Sequence, residues 1–295
     1  MPSMWIKENR DFERPCMITC ALSGVVANRD QCPAIPYTPE EYAAEAKRAY
    51  EAGAAVVHIH ARTREGLPSY DVQDYKNIYD AVTDACPIII NFSTGAVNIT
   101  TQQKIAHIQG IKPAIGALNM GSMNYAKYNS VKKKFVFEFV FPNPFAEIMQ
   151  IVEAMNSVNT KPEMECFDTG HVGNSFPLID MGLLKPPYQY SLIMGVLGGI
   201  PPTVSNLMAM VDLLKPDSDW EVIAVSLDQW RMIAAAIALG GNIRVGLEDN
   251  FYLTSGVMAD SNGALVEKAA RMVRDQGREI ASVEVCRERL NLVNR

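Results

Sequence analysis

The sequence has no apolar run close to the roughly 20 residues that a membrane-spanning helix needs. No membrane partner is expected from it. It has no Cys-x-x-Cys pair. Its six cysteines, Cys16, Cys20, Cys32, Cys86, Cys166 and Cys286, are scattered, several inside apolar runs. They read as free thiols acting as small hydrophobes, in a reduced, cytoplasmic protein. Basic runs are almost missing. Lys132-Lys133-Lys134 is a short one and reads as a solvated face, and the net charge is −6. Without a basic stripe or interleaved aromatics, nucleic acid is not an expected partner. No Gly-x-Gly-x-x-Gly follows the first strand-like run, which weakens a dinucleotide-binding reading. Residues 1–8 are polar and mixed, unlike a signal peptide. Histidine is scarce as well, at four residues.

Two of those four stand together in His58-Ile59-His60. An apolar run, Ala54-Ala55-Val56-Val57, enters them from a helix-like segment through Gly53. That pattern reads as a buried strand. Side chains alternate along a strand, so both imidazoles point the same way, as two ligands of one metal ion would. The plainer alternative is a pair of core histidines bonded to backbone.

The 295 residues are 48% apolar, ample for a large core. Strand-like runs cover 16–21, 55–61, 88–92, 114–119, 163–167, 190–194, 221–226 and 243–247. Helical patterns lie between them. Thr38-Pro39 opens one as an N-cap followed by Pro at the first helical position. Others cover 71–85, 145–158, 204–214, 227–239 and 263–281. Alternating strands and helices imply a parallel sheet, and eight units in this length fit a single-domain (β/α)8 TIM barrel. An open, doubly wound sheet is the alternative. The stretch 131–144, with Phe135-Val136-Phe137-Glu138-Phe139-Val140-Phe141, disturbs the count and reads as an extra strand or a long loop.

In such a barrel the active site gathers at the carboxyl ends of the strands. Those ends read Ser23-Gly24, His58 to Arg62, Asn91-Phe92-Ser93-Thr94-Gly95, Asn119 to Ser122, Glu163 to His171, and Arg244-Val245-Gly246-Leu247-Glu248-Asp249-Asn250. Alternation places Arg244, Gly246 and Glu248 on one face. A buried Arg needs an anion. Glu248 is a reasonable third ligand beside two histidines, which leaves Asp249 for proton transfer. The alternative is a structural salt bridge from Arg244 to either acid. Glu163 and Glu165 share a face and need a cation, a metal or a proton. His107 lies in a helix-like segment and reads as structural. His171 reads as a capping or surface histidine, with a fourth metal ligand as the sharper alternative. The loop 195–200, with Gly198 and Gly199, lets backbone N–H groups approach a ligand such as a phosphate-bearing cofactor or thioester arm. A plain tight loop is the alternative.

The chain resembles the β-keto acid cleavage enzymes, whose founding activity is 3-keto-5-aminohexanoate cleavage. The resemblance rests on Tyr37-Thr38-Pro39-Glu40-Glu41, Glu51-Ala52-Gly53-Ala54, His58-Ile59-His60, Ser93-Thr94-Gly95, Leu118-Asn119, Pro162-Glu163-Met164-Glu165 and Gly246-Leu247-Glu248-Asp249-Asn250. It implies a TIM barrel and a zinc ion held by His58, His60 and Glu248. It implies a β-keto acid and acetyl-CoA as substrates, with acetoacetate and a new acyl-CoA as products, and a homo-oligomer, a tetramer. Asp249, oriented by Arg244, would take the proton. Ser93 would bond the substrate carboxylate, and Glu165 would line the pocket. The family prototype has a Glu where this chain has Val26 and a Thr where it has Ala117. Both changes make the pocket less polar, so a keto acid with an apolar tail, or a differently placed polar group, is expected.

Two other classes remain. One is a zinc hydrolase on a barrel, although barrel amidohydrolases carry their HxH on the first strand and further histidines on later ones. The other is a binding protein that has lost activity, which the intact Arg244, Glu248 and Asp249 argue against.

Overall fold

The chain folds by alternation of strand and helix from Ile18 onward. The computed structural model describes residues 10–294, so residues 1–8, read above as polar and mixed, lie outside the described residues. The first barrel strands are β1 (Ile18–Ala21), β2 (Val56–Ile59), β3 (Ile89–Ser93) and β4 (Ile115–Asn119). A hairpin, β5 (Met123–Asn129) and β6 (Lys134–Phe141), then interrupts the series. β7 (Lys161–Cys166), β8 (Tyr188–Met194), β9 (Ser218–Ala224) and β10 (Asn242–Val245) complete it. The closed ring runs β1-β2-β3-β4-β7-β8-β9-β10 and back to β1, with parallel pairing throughout. Because β1 pairs with both β2 and β10, the open doubly wound sheet is excluded.

Helices cover the outside: α1 (Pro39–Ala52), α2 (Val72–Ala85), α3 (Thr101–Ile111), α4 (Phe145–Ser157), the short α5 (Thr169–Gly173) and α6 (Ser175–Asp180), α7 (Val204–Leu213), α8 (Gln229–Ala238) and α9 (Asn262–Asp275). Thr38 and Glu41 form a reciprocal capping box at the start of α1, worth about 1 kcal/mol. Gly53 ends that helix at φ 116°, a left-handed cap that turns the chain directly into β2. The long helix expected over 263–281 stops at Asp275, with Gly277 at φ 80°, and a separate α10 (Val283–Leu290) follows. Cys286 and Leu290 of α10 pack with Met17, Val56, Ile89 and Ile115, closing the amino end of the barrel with apolar side chains. Among the described residues no helix is long and apolar enough to cross a membrane.

The sheet's outward side chains, such as Val57, Ile90, Leu118, Leu192 and Val222, form the main core with the helices. The inward ones are polar toward the carboxyl end. Thr19 Oγ1 donates to Glu221 at 2.7 Å, Ser191 bonds both Glu221 and Glu163, and Asn91 donates to Glu163. Burial raises both Glu163 and Glu221 above the usual carboxylate range, Glu221 also because of Glu163's charge. The hairpin stands outside the ring. Tyr125 stacks on Phe137 and Phe139, while Ala126 bridges to Leu197 of the loop after β8. Hairpin and glycine loop are therefore one layer on the carboxyl side.

Candidate active site

β2 delivers His58 from inside the barrel, fully buried, and His60 one residue beyond its end. The backbone there is held from α1 and the loop after β1: Tyr42 donates its phenol to the His60 carbonyl at 2.6 Å, and Ser23 Oγ does so at 3.2 Å. Nothing in the sequence pattern around Tyr42 signals that role. Opposite, β10 stops at Val245 because Gly246 adopts φ 136°. A β-carbon on Gly246 would collide with the backbone of Ala21. The amides of Asp249 and Asn250 both donate to the Gly246 carbonyl at 3.1 Å. This turn returns both acids to the Arg244 side chain, so the strand alternation expected through Glu248 is replaced by a tight turn with the same outcome for Glu248.

Glu248 Oε1 lies 3.8 Å from His58 Nε2 and 3.6 Å from His60 Nε2. One ligand atom from each of the three falls within 4.8 Å of the others. Both ring nitrogens of His58 and Oε2 of Glu248 are buried without a hydrogen-bond partner. A neutral imidazole keeps one nitrogen as an acceptor; leaving that nitrogen and Glu248 Oε2 unpaired is costly, and a cation between them satisfies both. The donor set, two imidazoles and a carboxylate, suits a zinc ion with an open position. The group can therefore hold a metal. Burial keeps His58 neutral, well below its ordinary value, with Arg244's charge adding to the effect. Burial works to raise the Glu248 carboxyl, but the Arg244 guanidinium holds it well below its ordinary value.

Arg244 is 3% exposed and grips Asp249 through Nε and Nη2, both at 3.0 Å, and Glu248 through Nη2 at 2.8 Å. Burial lifts Asp249 to about 6, although Arg244 pulls it down. Glu165 Oε1 lies 3.7 Å from Arg244 Nη1, and burial with the neighbouring charge of Glu163 lifts it to about 8. Ser93 is buried at the end of β3, where its hydroxyl accepts from the Gly95 amide at 3.1 Å. A β-carbon on Gly95 would stand 3.3 Å from Ser93 Oγ and Asn119 Nδ2 and 3.9 Å from His60 Cε1, so those three groups surround one spot. Ala117 is fully buried on β4, level with Ser93 and Glu163.

The remaining candidates lie apart from that cluster. Val26 stands in the loop after β1 and is 67% exposed. Gly198, at φ 109°, cannot carry a β-carbon without striking the Asn124 carbonyl, and one on Gly199 would come 2.7 Å from the Phe167 carbonyl. Those glycines are required by packing against the protein itself. His171 accepts from the Phe167 amide through Nδ1 at 3.3 Å and lies beside the Ser122 backbone, past the ends of β7 and β4 and outside the metal group. Tyr125 of the hairpin carries no motif, yet burial lifts its phenol to about 12, and the charges of Glu248, Asp249 and Glu165 add to that.

Comparison with known proteins gives the same direction. Residues 15–292 match the beta-keto acid cleavage enzyme family. A 3-keto-5-aminohexanoate cleavage enzyme of Acetoanaerobium sticklandii is 35% identical over 278 residues, covering 94% of this chain and 98% of that protein. A 3,5-dioxohexanoate:acetyl-CoA acetone transferase of Paraburkholderia graminis is 30% identical over 299 residues, covering 95% and 96%. Among solved structures, apo ObcA superposes with a TM-score of 0.75 at 20% identity, over 88% of this chain and 66% of that one, a likeness of fold alone. The sequence match extends along nearly the whole barrel, and on that ground the chain belongs to the beta-keto acid cleavage enzyme family.

Proposed function

We propose that this chain is a zinc-dependent enzyme that exchanges acyl groups between a β-keto acid and acetyl-CoA, yielding acetoacetate and a new acyl-CoA. The observation that carries the reading is an acid gripped by a buried arginine, Asp249 on Arg244, directly beside the His58–His60–Glu248 group. The acetyl-CoA-dependent activity of the Paraburkholderia relative supports acetyl-CoA as the second substrate. A zinc ion held by His58, His60 and Glu248 would supply Lewis acidity to a keto oxygen placed next to it.

Asp249 is assigned the proton transfer. Held near 6, it is ionised at neutral pH yet more basic than an exposed carboxylate. It takes a proton from the carbon between the keto and carboxylate groups. That carbon attacks the acetyl carbonyl and displaces the CoA thiolate. The thiolate then attacks the original ketone carbon, and the bond between this carbon and its α-carbon breaks. The departing carbanion of acetoacetate regains the proton from Asp249. One keto acid and one acetyl-CoA thus give one acetoacetate and one acyl-CoA, with no water consumed.

Ser93 is assigned to the substrate carboxylate, and Glu165 to the pocket wall, as a protonated acid. Val26 and Ala117 are assigned to the tail, which favours a neutral keto acid. The loop holding Gly198 and Gly199 is assigned to the acetyl-CoA side of the mouth, supported by its place after β8 and its bridge to Ala126. Exposed Phe135, Val136, Phe139 and Val140 on the two-stranded hairpin support a homo-oligomer, because an isolated hairpin is marginal in water.

A panel of β-keto acids with acetyl-CoA, read as acyl-CoA products by mass spectrometry, tests the reading. Acetoacetate and acyl-CoA should appear in equal amounts and stop on chelation. Hydrolysis without CoA would favour a zinc hydrolase instead.

A further inference from the structure

A buried ring stack joins the two strand ends that carry the site, and the chemistry above does not use it. His107 on α3 and Tyr75 on α2 are each 2% exposed. Their rings lie face to face, with centroids 3.9 Å apart and planes 13° from parallel. Phe92 meets both edge-on, at 4.9 Å from Tyr75 and 6.0 Å from His107. Each ring lies against one backbone segment. His107 Nε2 lies 3.0 Å from the Ser93 carbonyl oxygen. A carbonyl only accepts, so Nε2 carries the proton and donates. His107 Nδ1 is buried without a partner, and burial brings the imidazole down to about 4, so the ring stays neutral. At the other end, the Tyr75 oxygen lies beside the backbone of Ala61, next to His60. The stack therefore runs from the backbone beside His60 to the backbone of Ser93.

A phenylalanine would fill the space against Tyr75 and Phe92 without burying a polar ring, which is costly when one nitrogen stays unpaired. What the imidazole adds is one donor aimed at one carbonyl. Around that carbonyl the end of β3 is fixed twice more: the Gly95 amide donates to Ser93 Oγ, and Thr94 Oγ1 donates to the Ala117 carbonyl at 2.6 Å. We propose that His107 is a positioning residue for Ser93. By holding its backbone from behind, it presents the Ser93 hydroxyl to the spot shared with Asn119 and His60, where the keto acid carboxylate is received. This rests on the acyl-exchange reading of the site, and its test separates the two.

His107→Phe keeps the stack and removes the donor, whereas His107→Gln restores an N–H. In metal-loaded protein, His107→Phe should raise KM for the β-keto acid about tenfold, with kcat and the KM for acetyl-CoA changed less than about twofold, since a shift of an ångström in a positioned group is costly. His107→Gln should recover most of the loss. In a Ser93→Ala background the same His107→Phe change should add less than about twofold, because the hydroxyl it positions is gone. An unchanged KM in His107→Phe overturns the proposal, as does an equal rise in the Ser93→Ala background. Should His107→Phe not fold, His107→Leu, which also removes the donor, is compared in the wild-type and Ser93→Ala backgrounds in the same way. If the wild type turns over no β-keto acid, the functional reading fails on its own. Amide hydrogen exchange at Thr94 and Gly95, faster in His107→Phe but not in His107→Gln, then decides the positioning separately.

Discussion

Arg244 meets Asp249 as a two-point clamp, Nε to Oδ2 and Nη2 to Oδ1, both at 3.0 Å, inside the barrel and away from water. A planar fork of donors matched to a carboxylate fixes direction as well as charge. Asp249→Asn is nearly isosteric but turns an acceptor into a donor facing the guanidinium. It should leave zinc bound and the fold intact while kcat falls by about 10² or more. Arg244→Lys keeps the charge and loses the fork. It should cost about 10-fold to 10²-fold in kcat through misorientation of Asp249. Turnover near wild type in Asp249→Asn, with any accepted keto acid, would remove Asp249 from the chemistry.

The metal group makes a separate prediction. Purified protein should carry about one equivalent of zinc. His58→Ala and His60→Ala should each lose most of it, since both imidazoles face the same Glu248 oxygen. His107→Ala should keep it, because His107 bonds the Ser93 carbonyl and lies outside the group. Full zinc in both His58→Ala and His60→Ala, measured by elemental analysis, would place the metal elsewhere.

How much of this was legible in the sequence follows from the range of each signal. The eight strands were, because apolar runs record burial on the sheet's outer face. His58 and His60 were, because a period of two survives to a strand's end. Asp249 was legible as a residue but its geometry was not. Alternation cannot carry an argument past Gly246, whose positive φ ends the strand and whose turn returns Glu248 and Asp249 together. α10 escaped because its apolar positions face the barrel's amino end, a surface set by distant residues such as Met17 and Ile115. His107 read as structural from its helix, and only the fold brings its Nε2 to Ser93. Val26 was chosen by match to a family position, and exposure of its side chain is a property of loop geometry that no periodicity reports.

Glu165 gives a pH prediction for stability. Burial, with Glu163's charge, raises its carboxyl from 4.5 to about 8 in the fold. A raised acid binds a proton in the native state that the unfolded chain has already released. Its contribution is therefore whole below 4.5 and is lost as pH rises toward 8. Glu165→Gln, which imitates the protonated form, should flatten the decline in melting temperature between those limits and be most stabilising at pH 8. A parallel shift of the whole pH profile, with no change in slope, would show that Glu165 is ionised in the native protein.

The tail specificity proposed for Val26 and Ala117 is tested on their burial, which the structure gives. Val26 is 67% exposed, so it does not pack against the barrel wall, and Val26→Glu should change stability by no more than about 0.5 kcal/mol. An activity change in that variant is then not a folding defect. A carboxylate facing an ammonium contributes a charge-assisted bond, and a cationic tail without one is left poorly solvated. An apolar tail gains about 0.8 kcal/mol for each methylene buried. The wild type should therefore prefer a neutral β-keto acid to an amino-keto acid of equal length, and Val26→Glu should narrow or reverse that preference with zinc content unchanged. Ala117 is fully buried between Ser93 and Glu163, so Ala117→Thr adds a hydroxyl where space is limited and should lower kcat/KM for long apolar tails before it helps polar ones. Competition between the two keto acids measures the ratio directly. A wild-type kcat/KM that favours the amino-keto acid would remove both residues from the control of tail choice.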